Sequence, residues 1–206
     1  MIDVVDIGGV SVALWRLEQD APQLLALCRQ AGVPCDTILD LPAGRQRERA
    51  AELLLLCHVV GRPVALDHTG QGAPFVPGSD IHISITHTPA LVALAWSRQY
   101  AIGVDAERLD RQQVLKVRDK YLNASEQQFV SPDDLWHHII AWTAKEAIIK
   151  AERNSAINWT DGICLAPFES GPGGAVITAR AGDRSYRLHC RAVAGHCVTV
   201  AVPMAD

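Results

Sequence analysis

Two acidic residues lie close together in the segment Gly103-Val104-Asp105-Ala106-Glu107. The apolar, β-branched run that leads into this segment favours a strand, and residues two apart on a strand point to the same face. Asp105 and Glu107 therefore project to one side, where adjacent carboxylates repel each other unless a cation neutralises them. The spacing predicts that Asp105 and Glu107 are metal ligands.

A later segment supplies a third carboxylate. From Asp133 to Arg153, apolar residues recur every three or four positions and neither Gly nor Pro interrupts the pattern, which predicts a helix. Trp142, Glu146 and Lys150 are four residues apart and share one stripe of that helix. We expect Trp142 to anchor the helix, Glu146 to add a metal ligand and Lys150 to hold a phosphate. A few oxygen ligands with room for phosphate oxygens suit Mg²⁺, or alternatively Mn²⁺, better than zinc or calcium.

Each motif also has an ordinary structural interpretation when it is taken alone. A strand that runs into a polar loop gives G-V-D-x-E, and an exposed helix face gives W-x-x-K-E-x-x-x-K with a Glu-to-Lys pair one turn apart. Short motifs carry little information singly, but their order and separation make the combination much more specific.

Together the two motifs resemble those of the 4′-phosphopantetheinyl transferases of the Sfp type, whose hallmark is G-[IV]-D-x-E followed by W-[ST]-x-K-E-[AS]-x-x-K. Both patterns match this chain at every fixed position. Upstream, residues 83–88 are similar to the family's S-x-[ST]-H-[ST] segment, and Gly72-Ala73-Pro74 stands where the family usually has Gly-Lys-Pro. The resemblance covers roughly residues 45–165.

The resemblance implies an α+β fold, a pseudo-dimer of two similar α/β subdomains with antiparallel-rich sheets and the active site in the cleft between them. It implies an N-terminal half (1–100) on the coenzyme A side and a C-terminal half (101–206) that carries the metal-binding strand and the W-T-A-K-E-A-I-I-K helix. The residue patterns predict strands at 81–85, 91–97, 162–167, 175–180, 185–193 and 197–202. A tight turn at 98–100 is expected to join two neighbouring strands.

The resemblance also implies the reaction and its residues. The 4′-phosphopantetheine group of coenzyme A, the co-substrate, would be transferred to a serine of an acyl, polyketide or peptidyl carrier protein, with release of adenosine 3′,5′-bisphosphate. Glu146 and Lys150 would be catalytic. The implied coenzyme A contacts fall on Arg45, Arg47, Arg49, Thr86, His87, Lys145 and Lys150.

The apo carrier protein of this family presents an acidic helix. Residues 108–122 are predicted to form a helix whose basic stripe, Arg111, Lys116, Arg118 and Lys120, would dock the partner. Two departures from the family pattern concern coenzyme A, because Ala73 and Glu52 stand where basic residues are usual. They predict a weaker hold on coenzyme A or contacts from other basic residues.

The composition of the chain limits the classes of function and the cellular location that are expected. A net charge of −4 over 206 residues argues against a general nucleic-acid binder. No signal-like segment and no long apolar run is present, so a cytoplasmic monomer without a membrane partner is expected. Six cysteines without C-x-x-C spacing predict reduced thiols. Two other functions remain open, a different Mg-dependent pyrophosphate-cleaving enzyme and an inactive coenzyme A or carrier-protein binding module.

Overall fold

The structure of the protein, a computed structural model, describes residues 2–205. Four α-helices lie at Ala21–Gln30 (α1), Ala43–Val60 (α2), Gln113–Lys116 (α3) and Leu135–Glu152 (α4). The strands are Ile2–Ile7 (β1), Val10–Arg16 (β2), Asp67–His68 (β3), Pro74–Phe75 (β4), His82–Thr88 (β5), Leu91–Ser97 (β6), Gly103–Arg108 (β7), Ile163–Leu165 (β8), Gly174–Ala181 (β9), Arg184–Val193 (β10) and His196–Pro203 (β11).

The strands form antiparallel sheets, which confirms the predicted α+β class. The first large sheet has the order β1-β2-β6-β5 and the second has the order β7-β11-β10-β9-β8, while β3 and β4 make a small separate ribbon. Every pairing between these strands is antiparallel. The helix and the C-terminal strands predicted from the sequence are confirmed to within a few residues.

Three apolar clusters hold the layers together. Helices α1 and α2 pack on one face of the first sheet, and α4 packs on one face of the second. The other faces of the two sheets meet in a third cluster, to which alternate residues such as Val12, Ala93, Val104 and Val198 contribute. Alternation along each strand therefore lets both sheets be buried on two sides. The layer order is helices, first sheet, second sheet, helix.

The helix ends follow local sequence signals. The Asp20 side chain accepts a hydrogen bond from the Gln23 N–H, and the Gln23 side chain accepts one from the Asp20 N–H, so a capping box begins α1. Asp134 caps α4 by accepting from His137 N. Gly61, with φ of 77°, ends α2 in the left-handed conformation that glycine adopts at low cost.

Two expectations were wrong, and one strand was not predicted. Residues 108–122 form no continuous helix; α3 and a 3-10 turn at Arg118–Lys120 replace it. The buried Val114 and Tyr121 repeat at helical spacing, so the apolar pattern alone did not reveal the break. Residues 98–100 do not join neighbouring strands, since β6 and β7 belong to different sheets. Strand β1 had been missed. Gly8 and Gly9, both at positive φ, turn it into β2.

Two further features bear on the expectations from composition. No helix within residues 2–205 is long and apolar enough to cross a membrane. All six cysteines are free thiols, and Cys28, Cys35, Cys190 and Cys197 among them are buried.

Candidate active site

Residues from both large sheets and from α4 line one cavity of about 350 Å³, which we call the carboxylate cavity. Strand β5 contributes Thr86 and His87, β7 contributes Asp105 and Glu107, and α4 contributes Trp142, Glu146 and Lys150; Ile85 and Arg111 complete the lining. The two carboxylates of β7 and the stripe of Trp142, Glu146 and Lys150 on α4 therefore line the same cavity. The cavity opens between the first sheet's edge strand and the second sheet.

Gly103 sets the distance between the strand and the helix that carry these groups. A Cβ atom at this position would lie 1.8 Å from the carbonyl oxygen of Ala147 and 2.7 Å from the backbone nitrogen of Ala151. Only glycine lets α4 approach β7 this closely. Ser84 ties β5 to the same strand, because its hydroxyl accepts the Val104 N–H at 2.9 Å. The first residue of the acidic motif thus has a packing role that its pattern does not reveal.

Asp105 is nearly buried and only half satisfied. Its Oδ1 accepts hydrogen bonds from Thr86 Oγ1 at 3.0 Å and from Lys150 Nζ at 2.8 Å. Its Oδ2 is buried and accepts none from any of residues 2–205. A buried carboxylate oxygen without a partner costs about 1–3 kcal/mol, more when charged. Such an atom is what a cation would stabilise.

The other two carboxylates differ in their surroundings. Burial raises the pKa of Glu146, and the nearby Asp105 carboxylate raises it further, while Lys150 and Arg111 lower it. Glu107 instead pairs with the Arg111 guanidinium. Arg111 also lies over the Trp142 ring, 5.0 Å from its centroid. Arg111, predicted only as part of a docking stripe, therefore belongs to the cavity wall.

The chemistry of the donor set fits a hard divalent cation, although no cage is preassembled. Residues 2–205 hold no group of three or more His, Cys, Asp or Glu side chains arranged to bind a metal ion. The three carboxylates nonetheless face one cavity, and Asp105 Oδ2 lacks any other partner. Glu107 would have to release or share Arg111 to join them. That Asp105, Glu107 and Glu146 bind one ion stays a prediction.

Lys145 does not reach the cavity, which corrects its predicted phosphate contact. Its side chain is 0% exposed and donates to Glu126 at 2.6 Å, Trp159 O at 2.7 Å and Ile163 O at 3.1 Å. Burial lowers the pKa of Lys145, and the contact with Glu126 partly offsets that effect. One step along a helix turns a side chain by about 100°, so Lys145 and Glu146 face different directions. Lys145 is part of the scaffold.

Of the three arginines predicted on α2, one reaches the cavity wall. Arg45 Nη1 lies 3.2 Å from His87 Nε2 and also pairs with Glu48. Arg47 and Arg49 have other partners in the structure, and that they contact coenzyme A stays a prediction. Arg47 donates to the backbone carbonyls of residues 17 and 19, and Arg49 pairs with the buried Glu52 at 2.6 Å.

A second cavity of about 300 Å³ adjoins the first, because Arg111 and Trp142 line both. Its walls are mostly apolar and aromatic. The Trp142 ring meets Tyr121 edge-on at 5.2 Å and Trp159 at 4.7 Å between centroids. Lys120 stands at its rim. Sequence reasoning missed this aromatic cavity, since its members come from three separated segments without a common period.

These features define a class: an α+β protein with an acidic and basic cavity between two antiparallel sheets, suited to a phosphorylated substrate. The model of the 4′-phosphopantetheinyl transferase superfamily matches residues 101–201, which contain Asp105, Glu107, Glu146 and Lys150. This part of the chain belongs to that superfamily, and the enzyme class is transferase. No curated protein matches the chain.

Proposed function

We propose that the protein transfers the 4′-phosphopantetheine group of coenzyme A to a serine hydroxyl of an apo carrier protein, and that adenosine 3′,5′-bisphosphate is released. The observation that carries this proposal is the half-satisfied Asp105, which lines one cavity with Glu146 and Lys150; all three residues lie within the superfamily match. Residues 1–100 would form the coenzyme A side and residues 101–206 the metal side.

Asp105, Glu107 and Glu146 would hold the divalent ion, Mg²⁺ or Mn²⁺. When bound, such an ion supplies positive charge to the diphosphate oxygens on which negative charge grows during transfer. Lys150 adds a second cation. Its Nζ donates to Asp105 Oδ1 and to Val104 O, which fixes the ammonium at the cavity wall. A fixed charge stabilises the transition state without reorganising during the reaction.

Glu146 is the proposed proton acceptor. Its raised pKa, caused first by burial and then by Asp105, makes it a better base than an exposed glutamate. The serine oxygen forms a bond to the phosphorus of the phosphopantetheine phosphate, and the serine proton passes to Glu146. The bond from that phosphorus to the bridging oxygen breaks, and its electron pair leaves with adenosine 3′,5′-bisphosphate.

The aromatic cavity is the proposed binding site of the pantetheine arm. Trp142 belongs to both cavities, so a chain that leaves the diphosphate can pass directly onto the Tyr121 and Trp159 rings. Arg111 and Lys120 at the rim would face an acidic carrier helix. Thr86 and His87, with Arg45 behind them, would contact the phosphate groups of coenzyme A from the other wall.

The experiment is incubation with coenzyme A, Mg²⁺ and a panel of apo carrier proteins, followed by intact-mass measurement. We expect one carrier to gain the mass of a single phosphopantetheine, and its Ser→Ala variant to gain none. Release of nucleotide without a mass gain would instead indicate a pyrophosphate-cleaving enzyme. Binding of coenzyme A with no product at all would indicate a binding module.

A further inference from the structure

Arg111 lies where three cavities meet. It lines the carboxylate cavity, the aromatic cavity and a third cavity of about 490 Å³, which Glu107 also lines. It stands on the loop between β7 and α3, four positions after Glu107. The long side chain changes direction by rotation about its own bonds, so its guanidinium can turn from one cavity into another without a change in the fold.

The Glu107 carboxylate depends on Arg111 for its charge balance. The guanidinium of Arg111 donates to Glu107 Oε1, and within residues 2–205 Glu107 has no other ion-pair or side-chain hydrogen-bond partner. Glu107 is one of the three carboxylates that face the carboxylate cavity. In the ion-free protein, Arg111 therefore takes the position on Glu107 that a divalent ion would take.

The two cations that pair with these carboxylates are held differently. Lys150 Nζ donates to Asp105 and also to the backbone carbonyl of Val104. Among residues 2–205, the guanidinium of Arg111 has no backbone acceptor, and its other contact is the Trp142 ring, 5.0 Å away. A cation over a ring face is attracted without a fixed hydrogen-bond direction. Arg111 is thus the cation that can leave its carboxylate.

A divalent ion and the guanidinium would compete for Glu107. The ion carries twice the charge and binds carboxylate oxygens directly, but the ion pair must break before Glu107 can join Asp105 and Glu146. The ion-free protein would then bind an ion more weakly than three unpaired carboxylates would. A permanent surface pair one helical turn apart, the ordinary structural interpretation, predicts no such competition.

We propose that Arg111 is a positioning residue that holds Glu107 in the ion-free protein and releases it to a divalent ion. The inference rests on the proposed function, which assigns Glu107 to the ion. It adds a link between the two proposed partners. While Arg111 is paired with Glu107, its charge is neutralised, so ion binding also frees a cation for the acidic helix of the carrier protein.

The test is the affinity of the full chain for Mn²⁺ alone, measured by electron paramagnetic resonance without coenzyme A. Arg111→Leu removes the competing cation and should bind Mn²⁺ roughly three- to tenfold more tightly than wild type, as expected for a partly buried charge pair. Arg111→Gln should change the affinity in the same direction. Circular dichroism and Tm establish that both variants are folded. Loss of a merely structural residue would not tighten ion binding.

A double-mutant cycle separates competition from general repulsion. Glu107→Gln should weaken Mn²⁺ binding, and adding Arg111→Leu to it should recover little, because no carboxylate is left for Arg111 to withhold. Arg108→Leu is the matched control. Arg108 removes the same charge from the same segment, but it pairs with Asp110 and does not line the carboxylate cavity, so Mn²⁺ affinity should stay at the wild-type value.

Two results would overturn the inference alone. Unchanged or weaker Mn²⁺ binding in Arg111→Leu and Arg111→Gln would show that Arg111 does not compete with the ion. An equal gain in the Glu107→Gln background, or in Arg108→Leu, would assign the effect to general charge repulsion. In both cases Mn²⁺ binding by wild type would leave the proposed function intact. Wild-type protein that binds no Mn²⁺, with or without coenzyme A, would overturn the ion assignment as well.

Discussion

Two lysines of α4 each pair with a carboxylate from another element, and the two pairs differ sharply in how completely their polar atoms are hydrogen-bonded. Lys145 and Glu126 are both 0% exposed, and each Glu126 oxygen accepts a backbone N–H, from Asn123 and Leu165. In the other pair, the side chains of Lys150 and Asp105 are 27% and 7% exposed, and Asp105 Oδ2 has no partner among residues 2–205.

The difference separates a structural ion pair from a reactive one. Lys145 links α4 to the 3-10 turn at Glu126–Gln128, to Trp159 and to β8, and every polar atom of this pair has a partner. Lys150 and Asp105 are held at a cavity with one strong acceptor unused. Residues with unsatisfied polar atoms are where binding energy for a ligand is available. Both lysines come from one short motif, five residues apart.

The largest expected effect is on the rate of phosphopantetheine transfer. Glu107→Ala should lower the rate at least about a thousandfold, the size of losing a key charge-stabilising group, with the far-ultraviolet circular dichroism and Tm close to wild type. The measurement is the rate of holo carrier formation by intact mass. Glu169→Ala, at an exposed glutamate outside the carboxylate cavity, is the matched control. Full activity in Glu107→Ala would contradict the metal assignment.

The second prediction concerns what the buried Lys145–Glu126 pair contributes to the free energy of unfolding. Lys145→Met should lower the free energy of unfolding by about 3–5 kcal/mol, because Glu126 is left as an uncompensated buried charge. Lys150→Met should cost less than this, because the Lys150 side chain is 27% exposed and the Thr86 hydroxyl still donates to Asp105. Urea denaturation measures both. The double variant Lys145→Met/Glu126→Leu should recover much of the loss; equal losses for the two single variants would remove the distinction drawn between the pairs.

Gly103→Ala tests the approach of α4 to β7. The added methyl group would contact the backbone of Ala147, so the free energy of unfolding should fall by about 1–3 kcal/mol and transfer should slow as Asp105 and Lys150 separate. Gly44→Ala is the matched control. Gly44 lies in α2 with no atom within 4 Å of an added Cβ, so this change should stabilise the protein slightly. Equal effects at both glycines would contradict the packing argument.

The smallest expected effect is a pH dependence that involves a histidine outside the site. His196 Nδ1 lies 2.8 Å from Ala194 O, and Nε2 lies 2.9 Å from the Thr88 hydroxyl. Since that carbonyl can only accept, Nδ1 carries the proton and Nε2 accepts from Thr88, which is the neutral form of the ring. Burial lowers the pKa of His196, with a smaller opposing effect from Ala194.

The sign of the pH effect follows from this lowered pKa. Below the usual pKa of about 6.5 the unfolded chain binds a proton that the folded protein does not, so stability falls as pH falls through this range. The slope is at most about 1.4 kcal/mol per pH unit for this group. Urea midpoints between pH 7.5 and 5.5 should show a shallower slope for His196→Gln than for wild type. An unchanged slope would exclude His196 as a contributor.

Sequence periodicity predicted the strand and the helix that carry the site, but it did not predict the contacts of every side chain on them. The strand before Asp105 and the helix with Glu146 follow from local alternation and helical spacing, which is why both positions were placed correctly. The role of Lys145 depends on Glu126, nineteen positions upstream along the chain, and no local pattern encodes that contact. Arg47 likewise resembles its neighbours in sequence, yet its backbone acceptors at residues 17 and 19 are known only from the fold.

The most direct test of the central claim is the affinity of the protein for Mn²⁺, measured by electron paramagnetic resonance with coenzyme A present. Wild-type protein should bind one ion at the carboxylate cavity. Asp105→Asn, which removes the charge and the unpaired carboxylate oxygen, should bind it at least about tenfold more weakly. Glu126→Gln, if folded under the same conditions, should bind it as wild type does. Unchanged Mn²⁺ affinity in Asp105→Asn would contradict the account.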